Sequence, residues 1–258
     1  MNILLKEILK PLYWYVKDKN YREFVKLYNK YAHRPRYQPV SNIKVLEFIV
    51  DIPDTLSFVW QFKDIFVDEI YKFSATSSEP IIYDCGANIG ISCLYFKTLY
   101  PQAKIKAFEA DPYIIEFLKK NLSRNGLKDI DIIDKAVWID YNGVEFYMEG
   151  ADGGSIKTSK ASEGNKVKVG SIRLKDFIEK EEEVDFLKID IEGAEYEVLH
   201  DCRDTLTKVN HIFVEYHSFS NEPQKLSKVC SILEENGFRY YIDSISKRKN
   251  TLYKSTFR

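Results

Sequence analysis

PIIYDCGANIG, residues 80–90, runs from a short apolar stretch into an acid and a tight glycine turn. A strand that feeds such a turn and then an apolar helix opens the nucleoside-binding half of an α/β sheet. Gly86 and Gly90 carry no Cβ, which predicts a close approach of ligand to backbone, although a plain strand-to-helix turn would use the same residues. The next apolar run, IKAFEADP, ends in Glu109, 25 residues beyond Asp84. A carboxylate there can accept both hydroxyls of a ribose. The alternative, a helix-capping acid, is already supplied by Asp111 ahead of Pro112. GANIG lacks the G-x-G-x-x-G spacing that cradles a pyrophosphate, and Asp84 would repel one. A cationic ligand without phosphates suits this turn better.

Outward from this stretch, strand and helix signals alternate. Helices are predicted over 89–99, 112–125, 174–182, 193–206 and 222–236, between the strand-like runs IKAFEA, IDIIDKAV, VDFLKID and HIFVEYH. Such alternation predicts a parallel sheet covered by helices on both faces, with functional side chains at the strand C-terminal ends. FRYYID and TLYKSTF, closely connected, should add an antiparallel strand. GVEFYM and KVKVGSI read as a hairpin around a polar loop, residues 149–165, which could close over an acceptor or lie untethered on the surface.

Before the sheet, residues 1–34 read as helical with one break at Pro11, and 33–39 as a linker. A basic helical extension, 1–40, is thus expected ahead of a domain spanning 41–258. Residues 1–36 carry six Lys and three Arg against Glu7, Asp18 and Glu23, although the whole chain of 258 residues has a net charge of only −1. Packing of this segment on the domain is the expectation, and peripheral contact with an anionic membrane or glycolipid is the alternative. The overall charge gives no reason to expect a nucleic-acid partner. Four cysteines without C-x-x-C spacing suggest neither zinc nor a disulfide framework. The first apolar run is too short and interrupted for a signal peptide, so a cytoplasmic protein is expected, at most peripheral at the inner face of a membrane. Oligomeric state is not legible.

The second dense cluster is LKIDIEGAE, residues 187–195. Strand alternation places Phe186, Lys188 and Asp190 on one face, with Glu192 in the turn that follows. HIFVEYH does the same with Glu215 and His217. Buried strands seldom carry such charges without a role or a partner. A salt-bridge network around Lys188 would be the purely structural version. Asp134–Val137, at the end of the third strand, could line the edge of a nucleobase.

YDCGANIGIS, AFEADP, DKAV, DFLKIDIEGAE and VEYH, in this order and spacing, resemble the FkbM family of S-adenosylmethionine-dependent methyltransferases. The resemblance covers about residues 45–242. Cys85 and Ala110 stand where the family often has an aliphatic residue and a proline. It implies a Rossmann-like class I methyltransferase fold with a seven-stranded, mostly parallel sheet. It also implies methylation of a hydroxyl on a sugar, glycan or glycosylated metabolite. Asp84, Gly86, Ala87, Asn88, Gly90, Ile91 and Ser92 would surround the cofactor's methionine portion, with Glu109 and Ala110 at the ribose and Asp134, Ala136 and Val137 toward the adenine. Asp84 would meet the cofactor's ammonium, and backbone N–H groups nearby its carboxylate. Asp190 would border both cofactor and acceptor.

For the proton of the acceptor hydroxyl, His217 is the expected base, oriented by Glu215 or Asp190, with Asp190 itself second. Asp190, Glu192 and Glu215 could instead bind Mg²⁺, but with Lys188 supplying positive charge a metal is not expected. Two other classes stay open. A nicotinamide-dependent sugar oxidoreductase or epimerase would share the ribose-binding acid; a cofactor-binding scaffold in glycan assembly would keep the pocket without turnover.

Overall fold

The computed structural model of the protein describes residues 3–147, 166–219, 222–245 and 253–257. Two compact units emerge, Met1–Ile70 and Tyr71–Arg258.

The first unit holds α1 (Ile3–Lys17), α2 (Lys19–Tyr31), the antiparallel pair β1 (Val40–Val45) and β2 (Phe48–Ile52), α3 (Thr55–Phe62), and a π-helical turn, Lys63–Val67. It reaches thirty residues past the boundary expected at residue 40, because the hairpin and α3 pack with this unit. Pro11 does not break the helix, contrary to expectation; it lies inside α1. The break falls at Asp18, whose extended backbone and side chain, accepting from the N–H groups of Asn20 (2.7 Å) and Tyr21 (3.1 Å), start α2. Here a proline deletes one helical hydrogen bond, whereas an N-cap offers replacements for several. Phe24, Leu27 and Tyr31, at helical spacing, are the buried side of α2. Asp54 caps α3 through the Ser57 N–H at 2.9 Å.

The second unit is built on β3 (Ile81–Cys85), β4 (Lys104–Phe108), β5 (Asp131–Ile133), β10 (Val184–Ile189), β11 (Val209–Ser218), β12 (Ile242–Ile245) and β13 (Tyr253–Phe257). They form one seven-stranded sheet in the order β12-β13-β11-β10-β3-β4-β5. The five strands β11, β10, β3, β4 and β5 are parallel, and β13 is antiparallel to both β11 and β12. Helices α4 (Ile91–Leu99), α5 (Ile114–Arg124), α6 (Leu174–Ile178), α7 (Glu195–Cys202) and α8 (Leu226–Glu235) supply the crossovers. All six residues of β10 are buried, as a central parallel strand requires. The chain winds outward from β3 through β5 and returns to β10 on the other side. The strand order therefore reverses between β3 and β10, which is where such sheets bind ligands.

The run 131–138 is not one strand. Asp134 and Lys135 are exposed and interrupt its apolar pattern, and β6 (Ala136–Trp138) leaves the main sheet to pair in parallel with β9 (Ser171–Arg173). The expected hairpin is present as β7 (Val144–Tyr147) against β8 (Lys166–Val169). The polar loop 149–165 lies outside the described residues.

Candidate active site

At the reversal point, the Asp190 N–H donates to the Cys85 carbonyl at 3.1 Å, holding the ends of β3 and β10 together. This contact explains Gly86. A Cβ there would collide with the Asp190 carbonyl, and the residue's φ of +86° also favours glycine. Gly90, at φ +89°, has Leu118 Cδ1 2.8 Å from where a Cβ would stand. Both glycines thus have a packing reason for lacking a Cβ.

The turn closes on itself. The N–H groups of Gly86 and Ala87 donate to the Phe108 carbonyl (3.0 and 2.9 Å), and that of Gly90 to the Ala87 carbonyl (2.9 Å). The Asn88 N–H donates to Glu109 Oε2 at 2.9 Å, and the Ile89 N–H to Asn88 Oδ1 at 2.7 Å. Every donor from Gly86 to Gly90 is used internally, so none of them faces a ligand carboxylate as the sequence suggested. Asn121 of α5, fully buried, braces the turn by donating to the Ile89 carbonyl at 3.0 Å; sequence reading missed it because a lone Asn on a helix gives no signal.

Glu109 takes the capping role after all, in part. Its Oε1 accepts from the N–H groups of Ala110 and Asp111, each at 2.8 Å. With Asn88 on Oε2, three backbone donors hold a carboxylate that has room for about four. Burial pushes its pKa up to about 7 against the pull of these bonds. Asp111 also caps α5 as expected, accepting from the Tyr113 N–H at 2.8 Å.

Asp84 is fully buried and does not face an open pocket. Its Oδ2 accepts from Ser92 Oγ at 2.5 Å, with Cys93 Sγ 3.5 Å away, and its Oδ1 pairs with Lys188 Nζ at 3.2 Å. The Asp84 carboxylate is thus met by an internal cation. Lys188 Nζ also donates to the Gly86 carbonyl at 2.7 Å, lies 3.6 Å from Asp190 Oδ2, and sits over the Tyr71 ring, 5.6 Å from its centroid. Burial opposes the Lys188 charge, but Asp84, Tyr71 and Asp190 together outweigh it and hold the ammonium well above its usual pKa. Ala87 and Ile91 are buried in packing. Gly86, Asn88, Glu109, Ala110, Asp190 and Glu192 form the half-exposed strip along the strand ends.

Asp134 follows Ile133, whose carbonyl accepts from the Glu109 N–H at 3.1 Å. Asp134 is exposed and paired with Lys119 at 3.4 Å, and Ala136 and Val137 are buried in apolar clusters.

Across the reversal point, His217 gathers four carboxylates. Its Nε2 lies 3.3 Å from Glu215 Oε1, 3.4 Å from Glu192 Oε2 and 4.0 Å from Asp190 Oδ1. Its Nδ1 is 2.9 Å from Glu195 Oε1. The residue that orients the ring is therefore Glu195, not Glu215 or Asp190. Glu195 is fully buried in the first turn of α7 and itself accepts from the Gly193 N–H at 2.9 Å. The sequence signal was available, an acid right after the glycine turn, but it resembled a helix-start preference.

Burial disfavours a charged His217, yet Glu192 and Glu195 outweigh burial and raise its pKa well above the usual value. The shift favours the protonated ring, which counts against the general-base role expected from sequence. Glu192 reaches its place with a left-handed backbone, φ +54°, and burial raises its pKa to about 8. The left-handed conformation carries a backbone cost at a non-glycine residue.

A family model described as "Methyltransferase FkbM domain" matches residues 84–240, from the buried aspartate through the acid cluster. The chain belongs to the FkbM methyltransferase family. Among curated relatives, it is 30% identical over 212 residues to methyltransferase sdnD of Sordaria araneosa, covering 69% of this chain and 80% of that one. It is 32% identical over 154 residues to the 2-O-methyltransferase NoeI of Sinorhizobium fredii, covering 54% and 63%. It is 24% identical over 178 residues to the hexuronic acid methyltransferase AglP of Haloferax volcanii, covering 67% and 72%. The protein is thus a methyltransferase, and its methyl donor is S-adenosylmethionine. The site's chemistry fits that donor: a turn whose N–H groups are all used offers acceptors to a cation and to ribose hydroxyls, and no nest for phosphate.

Proposed function

We propose that this FkbM methyltransferase methylates a hydroxyl oxygen of a sugar, in a glycan, glycolipid or glycosylated metabolite. The observation that carries the reading is the division of the strand ends into an acceptor-lined strip at Gly86–Glu109 and a carboxylate rim at Asp190 and Glu192. Two relatives support it by name, one a 2-O-methyltransferase and one a hexuronic acid methyltransferase.

Asn88, Glu109 and Ala110 would hold the cofactor's ribose, with Glu109 using its remaining acceptor capacity. Asp84 acts at one remove, by fixing Lys188 and the turn. When bound, the cofactor supplies an electrophilic methyl group on a sulfonium. Asp190 and Glu192, half-exposed beside it, orient the acceptor hydroxyl, and a carboxylate of this rim takes its proton as the S–C bond breaks and the O–C bond forms. Lys188 stabilises the rim as a fixed positive charge. Neither hydride transfer nor pyrophosphate binding has a counterpart here, which disfavours the nicotinamide-dependent class.

The test is calorimetry followed by turnover. The pure protein should bind S-adenosylhomocysteine and not NAD, then pass a labelled methyl to a sugar hydroxyl in a glycan panel. Preference for NAD would overturn the donor-site reading, and labelling confined to nitrogen or carbon acceptors would overturn the oxygen assignment.

The acceptor's setting is read from α1. Leu12, Tyr15 and Val16 share one helical face, all exposed, with Val16 at 63%, and exposed Lys10 and Lys17 lie on the opposite face. Packing therefore accounts for α2 but not for this end of α1. Among the described residues, no helix is long and apolar enough to cross a membrane. With six Lys and three Arg in residues 1–36, the fitting partner is an anionic lipid surface. Leu12→Ser with Val16→Ser should abolish sedimentation with phosphatidylglycerol vesicles while leaving homocysteine-cofactor affinity unchanged. Undiminished sedimentation, or self-association through this face, would refute it.

A further inference from the structure

We infer that Asp190, Glu192 and His217 form a divalent-cation site, with Glu195 as the outer carboxylate that aims the ring. One oxygen from each acid and one His217 nitrogen all lie within 4.8 Å of one another. The His217 side chain is 1% exposed, so the direction of its Nε2 is fixed by the fold and not by solvent. That single nitrogen faces oxygens of Glu215, Glu192 and Asp190 at 3.3, 3.4 and 4.0 Å. A ring nitrogen carries one hydrogen at most, and one hydrogen cannot serve three carboxylates.

Crowding gives an independent argument. The carboxylates of Asp190, Glu192, Glu195 and Glu215 all converge on the one imidazole. Lys188 lies 3.6 Å from Asp190 but is buried and committed to the Gly86 carbonyl at 2.7 Å and Asp84 at 3.2 Å. Acids gathered this closely suit a divalent cation.

The second-layer arrangement is the one metal-bound histidines use. A ligating imidazole typically donates its other N–H to a carboxylate, which fixes the tautomer and turns the lone pair toward the ion. Here Nδ1 meets Glu195 Oε1 at 2.9 Å, and the Gly193 N–H pins that same oxygen at 2.9 Å. Oxygen-rich ligation with one imidazole suits Mn²⁺ or Mg²⁺, and lacks the thiolates of a structural zinc site. Asp190 and Glu192 are half-exposed, so the ion is reachable from the acceptor side. An acceptor hydroxyl bound to it would lose its proton more readily. This role rests on the O-methylation reading; the ion site itself does not.

The experiment is titration of the full chain with Mn²⁺, followed by electron paramagnetic resonance and without cofactor. The expected result is one ion per chain. Uptake should be lost in His217→Ala and Asp190→Asn and weakened about 10- to 100-fold in Glu195→Gln. It should be unchanged in Glu181→Gln. Thermal melts and S-adenosylhomocysteine binding of each variant check folding, and His217→Gln repeats the test in a ring-sized side chain. Absence of stoichiometric uptake, or uptake that survives both ligand substitutions in folded protein, overturns the inference. Failure of wild type to bind S-adenosylhomocysteine while it takes up Mn²⁺ would instead overturn the methyltransferase site and leave the ion site standing.

Discussion

Glu109 and Glu192 follow β4 and β10, on either side of β3 in one sheet, and live in opposite surroundings. Glu109 is held by three backbone donors, from Asn88, Ala110 and Asp111. Glu192 shares one histidine with three other acids and is held in a left-handed backbone conformation. Burial raises the pKa of both, to about 7 and about 8. The contrast separates binding from chemistry. A carboxylate satisfied by its own backbone forms a rigid platform for a neutral sugar ring, whereas a carboxylate with too few donors is poised to take a proton or a cation.

The largest expected effect tests what joins the two halves. Lys188→Met leaves Asp84 buried without its cation and should lower unfolding free energy by about 3–5 kcal/mol in urea denaturation. Asp84→Asn in the same chain should recover a good part of that loss. A double variant no more stable than the single one would mean that Lys188 acts through packing alone.

Next come the two glutamates, compared directly. Glu192→Gln should reduce kcat about 10²-fold or more, the usual scale for a lost acid–base group, with S-adenosylhomocysteine affinity nearly unchanged. Glu109→Ala should do the reverse, weakening that affinity about 10-fold while kcat at saturating donor holds, the scale of one or two lost hydrogen bonds. If both variants lose kcat and affinity alike, the proposed division of labour fails.

The smallest effect is on stability against pH. Glu109 has a folded pKa of about 7 against an ordinary 4.5, so the folded state binds its proton more tightly than the unfolded one. Its contribution is fully present below pH 4.5 and is lost as pH rises through 7. Asp54 and Asp129 have lowered values and act in the opposite sense: their contribution is present above about pH 4 and is lost as pH falls through the lowered folded values. Denaturation midpoints between pH 5 and 8 should therefore fall less steeply in Glu109→Gln than in wild type. Parallel curves would show that its burial has no energetic consequence.

Much of this was legible in the chain itself. Alternating strands and helices, Asp111 as a cap, and the placing of Lys188, Asp190, Glu215 and His217 at neighbouring strand ends follow from short-range rules. Period-two alternation and helix capping depend on a few adjacent residues. The N-terminal break was misread because Pro11 outweighed Asp18 in the pattern. The 131–138 run was misread because two exposed residues were not taken as a change of sheet.

What the sequence by itself determined is the order of the elements, the family, and which acids and cations reach the reversal point of the sheet. What only the tertiary structure decided is how they share protons and partners. Gly86 faces the Asp190 carbonyl from a strand 100 residues away, Asp84 answers Lys188, and Glu195 aims His217 into three more acids. The physical reason is that charge state and hydrogen-bond supply are properties of a neighbourhood. They are set by burial and by strands adjacent in space, neither of which a linear pattern encodes.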